Sequence, residues 1–345
     1  MQTQVCHVMI LGSIAVQIHK LKQGPRQSSL KYLQVLALVS LCVQNTALVL
    51  CTKISLRKVA VPYVTSVVIV CSEFVKLCLS CVLLYIADGL EPVLHAFREI
   101  PSNAVQLGLP AVLYVLQSNL IFKSIGLLSP TLYMVCSQSK IFSSAFFSVT
   151  LLKLRLSRKQ HCALVLLTCG MVAVQTEESA RMDSYEMERR PRQSVGTVHM
   201  IKGLTYVFAA SGTSGFTGAY LERMYKHTER KCSVWYRNLQ LASFSLPVAL
   251  TTAILSDRAQ IVSRGPFQGY NIIVCIVIFL HAAGGLIVAT VMRYAGNIMK
   301  CFAISMSICA CALLSTLTEP DISSVHAQGI AGIAIVLVSI FMFAL

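Results

Sequence analysis

Two lysines stand inside long apolar stretches of this 345-residue chain: Lys140, in SPTLYMVCSQSKIFSSAFFSV, and Lys300, ahead of CFAISMSICACALL. An ammonium group at membrane depth costs at least about 2.5 kcal/mol, so it belongs in a polar cavity or against an anion. The chemistry this points to is capture of a negatively charged solute. Tyr133, Ser137 and Lys140 are spaced i, i+4 and i+7, which on a continuous helix puts a ring, a hydroxyl and a cation on one face. Such a face suits a phosphorylated solute, the ring stacking on a base and the ammonium meeting phosphate as a point charge. Arg293, Asn297 and Lys300 repeat the spacing further along. Tyr114, Gln117 and Ser118 share a face after Pro110, where the amide either reads a base edge or bonds a neighbouring helix. Asn119 points elsewhere on that helix.

Other polar or small residues divide between packing and binding. Ser211-Gly-Thr-Ser-Gly-Phe-Thr-Gly218 carries small residues at spacings of four, the pattern of close helix packing, with Gly215 and Gly218 in that role and Ser214 as a ligand contact. Gly284-Gly285 allows the same approach or a break, and Asn238 is a polar group near the start of an apolar segment. Glu73 reads as the one carboxylate within the apolar segments, the other acids falling in loops, and Lys76 lies at i+3 from it. This pair is expected to be structural or gating. A Glu73–Lys140 pairing is the competing use of the same acid.

These residues need helices in a membrane to hold them. The chain is 55% hydrophobic and only 12% charged, with a mean hydropathy of +0.69, against roughly 25% charged residues in soluble domains. The net charge of +15 lies mostly in short gaps between apolar segments, which is where membrane topology puts it and not where a nucleic-acid surface would. Most cysteines sit inside apolar runs and read as small hydrophobes, and neither Cys78-x-x-Cys81 nor any other cluster has a zinc spacing. No metal and no cofactor are expected. No G-x-S-x-G, H-E-x-x-H or P-loop occurs, so an enzyme or a self-powered pump is excluded.

A span needs about 20 apolar residues. Ten segments come near that length: 32–52, 62–87, 104–125, 130–152, 161–176, 199–221, 233–256, 270–292, 297–318 and 324–345. Pro62, Pro101, Pro130 and Gly265-Pro266 punctuate them, and no pattern suggests strands. The fold class is therefore an all-α membrane protein of ten transmembrane helices in two inverted five-helix repeats. Residues 1–30 form an unassigned N-terminal segment, 31–175 the first half, 176–198 a polar connecting loop and 199–345 the second half. Lys140-Ile-Phe-Ser and Lys300-Cys-Phe-Ala echo one another at the same ordinal helix of each half. The balance of Lys and Arg among the loops favours cytosolic termini.

Eight colinear stretches together resemble the nucleotide-sugar transporters of the Golgi and endoplasmic reticulum, in the branch for UDP-galactose, UDP-N-acetylglucosamine and CMP-sialic acid. They are VQNTALVL from Val43, SEFVK from Ser72, YVLQSNL from Tyr114, SQSK from Ser137, SGFTGAYLE from Ser214, VWYRNLQ from Val234, GPFQGY from Gly265 and RYAGNIMK from Arg293. The resemblance implies ten helices around a central cavity, and exchange of a cytosolic nucleotide sugar for a lumenal nucleoside monophosphate. Carried over, it implies that Tyr114, Gln117 and Ser118 contact the nucleotide and that Tyr133 and Lys140 sit at base and phosphate. Ser214 and Asn238 would line the cavity, and Lys300 would be the second phosphate cation. Three positions depart from the family pattern: Ser118 replaces a second asparagine, Ser137 a tyrosine and Gly296 an aspartate.

The expected function is alternating-access antiport of UDP-galactose or UDP-N-acetylglucosamine at the Golgi membrane, the endoplasmic reticulum being the second choice. Substrate contacts are expected at Tyr114, Gln117, Ser118, Tyr133, Ser137, Lys140, Ser214, Asn238, Asn297 and Lys300. The expected partners are the nucleotide sugar, the nucleoside monophosphate and the bilayer, with a homodimer or a glycosyltransferase complex beside them and no nucleic acid. The alternatives are a non-transporting scaffold or regulator of glycosylation, and a carrier of CMP-sialic acid or another phosphorylated metabolite.

Overall fold

Hydrocarbon offers a backbone amide no partner, so an apolar chain entering a membrane must satisfy its own hydrogen bonds, and the helix does so locally. The computed structural model describes residues 27–57, 63–101, 104–125, 127–186, 197–227, 233–318 and 327–344, and among these all regular structure is helical. The helices are α1 (Gln27–Arg57), α2 (Thr65–Asp88), α3 (Leu90–Arg98), α4 (Ala104–Ile125), α5 (Pro130–Ser137), α6 (Ser139–Leu152), α7 (Arg158–Glu186), α8 (Thr197–His227), α9 (Val234–Arg264), α10 (Ile272–Tyr294), α11 (Asn297–Thr318) and α12 (Ala327–Ala344). Six carry stretches long and apolar enough to cross a membrane: Leu30–Ser55 of α1, all of α2, α4, α9 and α10, and Asn297–Leu314 of α11. The expectations for residues 1–26, for Pro62 and for 187–196 of the polar stretch lie outside the described residues.

Helix ends follow local chemistry. Ser129 caps α5, its hydroxyl accepting from Leu132 N–H at 3.3 Å with Pro130 next in line. Ser157 and Gln160 form a reciprocal capping box on α7, at 3.2 and 2.9 Å. Asn271 caps α10 through Val274 N–H at 2.9 Å. Four boundaries differ from the sequence expectation. α3 is an additional short helix after Gly89, the segment 130–152 is interrupted at Gln138, and α7 continues into the polar stretch as far as Glu186. The fourth concerns Arg293, which ends α10 and does not share a helix with Asn297 and Lys300. Gly296, at φ 90°, turns the chain between them, so the i, i+4, i+7 face expected there does not form.

The chain divides into two compact units that each draw on both halves of the sequence: residues 1–104 with 225–300, and 105–224 with 301–345. In the first, α10 packs on α1 and α2, and α9 on α2 and α3. Its core has two apolar layers. Tyr63 and Val68 meet Val274, Val277 and Ile278; Leu83 and Leu84 meet Leu286, Trp235, Tyr236 and Leu239. Early residues of α2 thus face early residues of α10 and late face late, so the two helices run parallel. The short α3 is fastened to α9 by Tyr236, whose hydroxyl donates to Glu99 Oε2 at 2.6 Å and lies 2.8 Å from His95 Nδ1, and by Gln240 Nε2 donating to Ala96 O at 3.3 Å. Outside the helices, burial first and then contact with Cys71 push the Tyr270 phenol above its ordinary range, so it stays neutral.

In the second unit α7 packs along α12. A Cβ built on Gly332 would lie 2.9 Å from the Gly170 carbonyl oxygen, and one on Gly170 2.8 Å from that of Gly332. Backbone meets backbone there, the closest approach two helices can make. α8 is held to α4 by Tyr220 Oη donating to Gln106 O at 3.2 Å, and its Gly203 carbonyl accepts from Ser124 Oγ at 3.1 Å. Gly332→Val should overpack the α7–α12 crossing by about 1–3 kcal/mol and lower the thermal midpoint of the purified protein by several degrees. Gly212→Ala, where an added Cβ meets nothing within 4 Å, should not lower it. Equal losses in the two variants would refute this account of the packing.

Candidate functional site

The first unit resolves which partner Glu73 takes. Lys76 Nζ lies 2.5 Å from Glu73 Oε2, with side chains only 15% and 13% exposed. The aliphatic stem of Lys76 crosses Gly285, where a Cβ would sit 2.7 Å from Lys76 Cδ. On the neighbouring residue Gly284 a Cβ would sit 2.5 Å from Gln44 Nε2, which donates to Leu280 O at 2.9 Å. The glycine pair therefore permits close approach and not a break, since α10 continues through it. Two polar side chains from α1 and α2 pass where side chains on α10 would otherwise stand. Gln34 Nε2 adds a bond to the terminal Tyr294 carbonyl at 2.6 Å.

In the second unit the residues around Lys140 are arranged differently. The helix is broken at Gln138, whose N–H bonds three residues back to Val135 O at 3.2 Å in the tighter 3-10 manner. Gln138 is 1% exposed and its Nε2 donates to Gln175 Oε1 of α7 at 2.5 Å. Ser137 Oγ donates to Met134 O at 2.8 Å, so its proton is used within its own helix. Tyr133 and Lys140 are half-buried, and among the described residues Lys140 has no hydrogen-bond or ion-pair partner. α8 crosses α6 where Gly215 meets the Ser143 backbone, a built Cβ falling 2.5 Å from Ser143 C. Ser214, half-buried, is adjacent in sequence to that crossing; Gly218 is buried.

On α4 of the same unit Tyr114 and Ser118 are exposed, and Gln117 Oε1 is buried without a hydrogen-bond partner among the described residues. Asn119 Nδ2 bonds Val115 O of its own helix at 2.9 Å. Asn238, in the first unit, is 4% exposed; its Oδ1 accepts from Tyr225 Oη at 3.2 Å, while its Nδ2 is buried with no partner among the described residues. Asn297 is fully buried at the start of α11, and Lys300 N–H closes the first turn on Gly296 O at 3.2 Å.

One expectation needs correcting. Glu73 is not the only carboxylate within the helices: α8 extends to His227 and holds Glu222 at 1% exposure, and Asp257 interrupts α9 with φ −122° and ψ 18°. Glu222 was missed because its segment reads as ending at Leu221, before ERMYKH. Gln138 and Gln44 were also missed as structural donors. Each sits in a short polar cluster inside an apolar run, Ser137-Gln-Ser-Lys140 and Gln44-Asn-Thr46, and nothing in the cluster marks which member reaches another helix.

Chemically, the first unit holds a neutralised ion pair and an amide donor, and the second holds an ammonium group with no counter-ion among the described residues. An anion is the partner such a group lacks. Comparison with known proteins bears on which anion. The model of a family described as nucleotide-sugar transporter matches residues 26–344. The chain is 36% identical over 324 residues to a UDP-N-acetylglucosamine/UDP-N-acetylgalactosamine transporter of Caenorhabditis elegans, covering 90% of this chain and 93% of that one. It is 36% identical to the human UDP-N-acetylglucosamine transporter over 84% of this chain and 87% of that one. It is 35% identical to a UDP-galactose transporter of Schizosaccharomyces pombe over 82% and 80%. A crystal structure of a protein 12% identical in sequence superposes with a TM-score of 0.57 over 89% of this chain and 98% of that chain, a likeness of fold alone.

The buried pair and the buried amide give separate expectations. Lys76→Met alone should cost about 3–5 kcal/mol of stability by stranding Glu73, while Lys76→Met with Glu73→Leu should recover most of that loss. Thermal unfolding of the purified variants checks this, and a double variant no better than the single one would refute it. Gln138→Leu and Gln175→Leu should each cost about 1 kcal/mol and be non-additive in a double-mutant cycle.

Proposed function

The chain belongs to the nucleotide-sugar transporter family, and on that premise we propose that it exchanges a cytosolic nucleotide sugar for a lumenal nucleoside monophosphate by alternating access. The favoured cargoes are UDP-N-acetylglucosamine and UDP-galactose, the substrates in the names of its relatives. The Golgi membrane is the proposed location. The observation that carries the reading is Lys140, a cation in an apolar helix with no partner among the described residues while Glu73 is taken by Lys76. A diphosphate offers that ammonium the charge it lacks.

In this reading Lys140 and Lys300 each neutralise phosphate, Tyr133 and Tyr114 stack or bond, Gln117 helps to read the base, and Asn238 is a separate contact. Ser118, Ser214 and Asn297 are the remaining contacts. Ser137 contributes least, because its hydroxyl proton is already given to Met134 O. Exchange follows if the empty, uncompensated cation is costly to carry between the two faces and the filled site is not. We further propose ten spans in two inverted repeats. Counting α5 and α6 as one interrupted helix and setting α3 aside leaves ten helical stretches, five on either side of residues 187–196, and an interrupted helix is the usual companion of a transporter site.

Reconstituted protein preloaded with UMP or CMP and offered a panel of labelled nucleotide sugars tests the proposal. Uptake of a UDP-sugar driven by internal UMP is expected. Lys140→Ala and Lys300→Ala should each reduce exchange by at least about a hundredfold, the loss of roughly 2.7 kcal/mol of charge pairing, with thermal stability retained. Wild-type rates in either variant would remove that lysine's assigned role. Nucleotide-dependent stabilisation with no exchange of any cargo would instead favour a non-transporting scaffold.

A further inference from the structure

The connection between α6 and α7 carries four cations in seven residues, Lys153-Leu-Arg-Leu-Ser-Arg-Lys159, and no acidic residue occurs in the sequence between Glu99 and Glu177. Its backbone leaves all four exposed. Lys153, at φ 54°, ends α6 in the left-handed conformation, and residues 153–157 then run without helical structure. Along this run exposure alternates: Lys153, Arg155 and Ser157 are exposed, while Leu154 and Leu156 are half-buried. The Ser157–Gln160 capping box then starts α7 with Arg158 and Lys159 exposed in its first turn. None of the four cations has a hydrogen-bond or ion-pair partner among the described residues.

The apolar surface beside the strip indicates what it faces. On α6, Phe142, Phe146 and Val149 form an exposed stripe at i, i+4 and i+7, and Lys153 stands at its end, four residues on. On α7, Arg158 begins a stripe that continues through Cys162, Val165 and Cys169, all exposed. Exposed phenylalanine and valine on two helices of a membrane protein meet acyl chains, so the turn joining them lies where acyl chains give way to headgroups. A row of exposed cations at that height, on the side that loop charge assigns to the cytosol, matches an anionic headgroup in charge and depth.

We propose that Lys153, Arg155, Arg158 and Lys159 form a docking strip for anionic phospholipid, with phosphate oxygens taken by the two guanidinium forks and the two ammonium groups. The half-buried leucines hold the strip to the protein, so binding has to order the cationic side chains but not the backbone that carries them. A role in topology alone would give the same charges but no selectivity among bound lipids. That difference is the test.

Purified full-length protein is titrated with phosphatidylserine, a phosphatidylinositol monophosphate or phosphatidylcholine, and retained lipid is counted by native mass spectrometry. This readout does not depend on transport. Wild type should retain the anionic lipids about tenfold more strongly than phosphatidylcholine, and the preference should fall in about 0.5 M salt. K153Q/R155Q/R158Q/K159Q should bring the ratio to within about twofold, while K153R/K159R should keep it. No preference in wild type, a preference untouched by salt, or full preference in the quadruple variant would overturn the proposal. So would displacement of bound lipid by millimolar inorganic phosphate as effective as displacement by the lipid itself, which would make the strip a general phosphate collector. If the quadruple variant does not fold, the wild-type salt and phosphate arms decide.

Discussion

What governs this molecule is the expense of leaving a polar group unanswered beneath a hydrocarbon surface. Most such groups here are answered from within. Glu73 is met by Lys76, the Gln44 amide by the Leu280 carbonyl, Gln138 by Gln175, and serines and threonines such as Ser80 and Thr217 by carbonyls of their own helices. Among the described residues the groups left without a partner include several buried serine hydroxyls, Ser66, Ser139, Ser148 and Ser233, and three groups of more interest. Lys140, the Gln117 oxygen and the Asn238 amide nitrogen remain open among the described residues, and they are residues that chemistry alone had singled out. An ion pair that is already closed is a poor ligand for cargo; an open ammonium is a good one.

Glycine makes the closed set possible. Gly284 and Gly285 leave a channel in the surface of α10 through which the stems of Gln44 and Lys76 pass, and Gly215 lets α8 lie against the backbone of α6 at Ser143. Gly170 and Gly332 do the same for α7 and α12 with no polar group involved. Without a hydrophobic force between helices in lipid, contact of this kind is what holds them. Gly296 has a separate task. Its positive φ ends one helix and begins the next within two residues, which sets the start of α11 and hence Lys300. Glycine is the residue type most at ease in that turn.

The interruption at Gln138 links packing to motion. Its neighbours Ser137 and Lys140 fall on two helices, and the joint between them is fixed by one buried amide bond to α7. A helix broken at such a point has fewer backbone bonds to lose when it bends, a property suited to a site that must be reached from two sides. The bond to Gln175 restrains that freedom.

The amino-acid order by itself determined the helical class, the membrane setting and the identity of the charged residues, because apolar run length, i, i+3 pairing and the rarity of charge are local properties. Glu73 with Lys76 was readable at a separation of three. Tertiary structure decided the rest. Gln44 reaches Leu280 across 236 positions, and Gln138 breaks its helix with neither proline nor glycine to announce it. Glu222 is buried by a helix that outlasts its apolar stretch, and Arg293 is parted from Asn297 by a single turn. Each of these depends on which surface another helix presents, and no spacing along one chain segment carries that information.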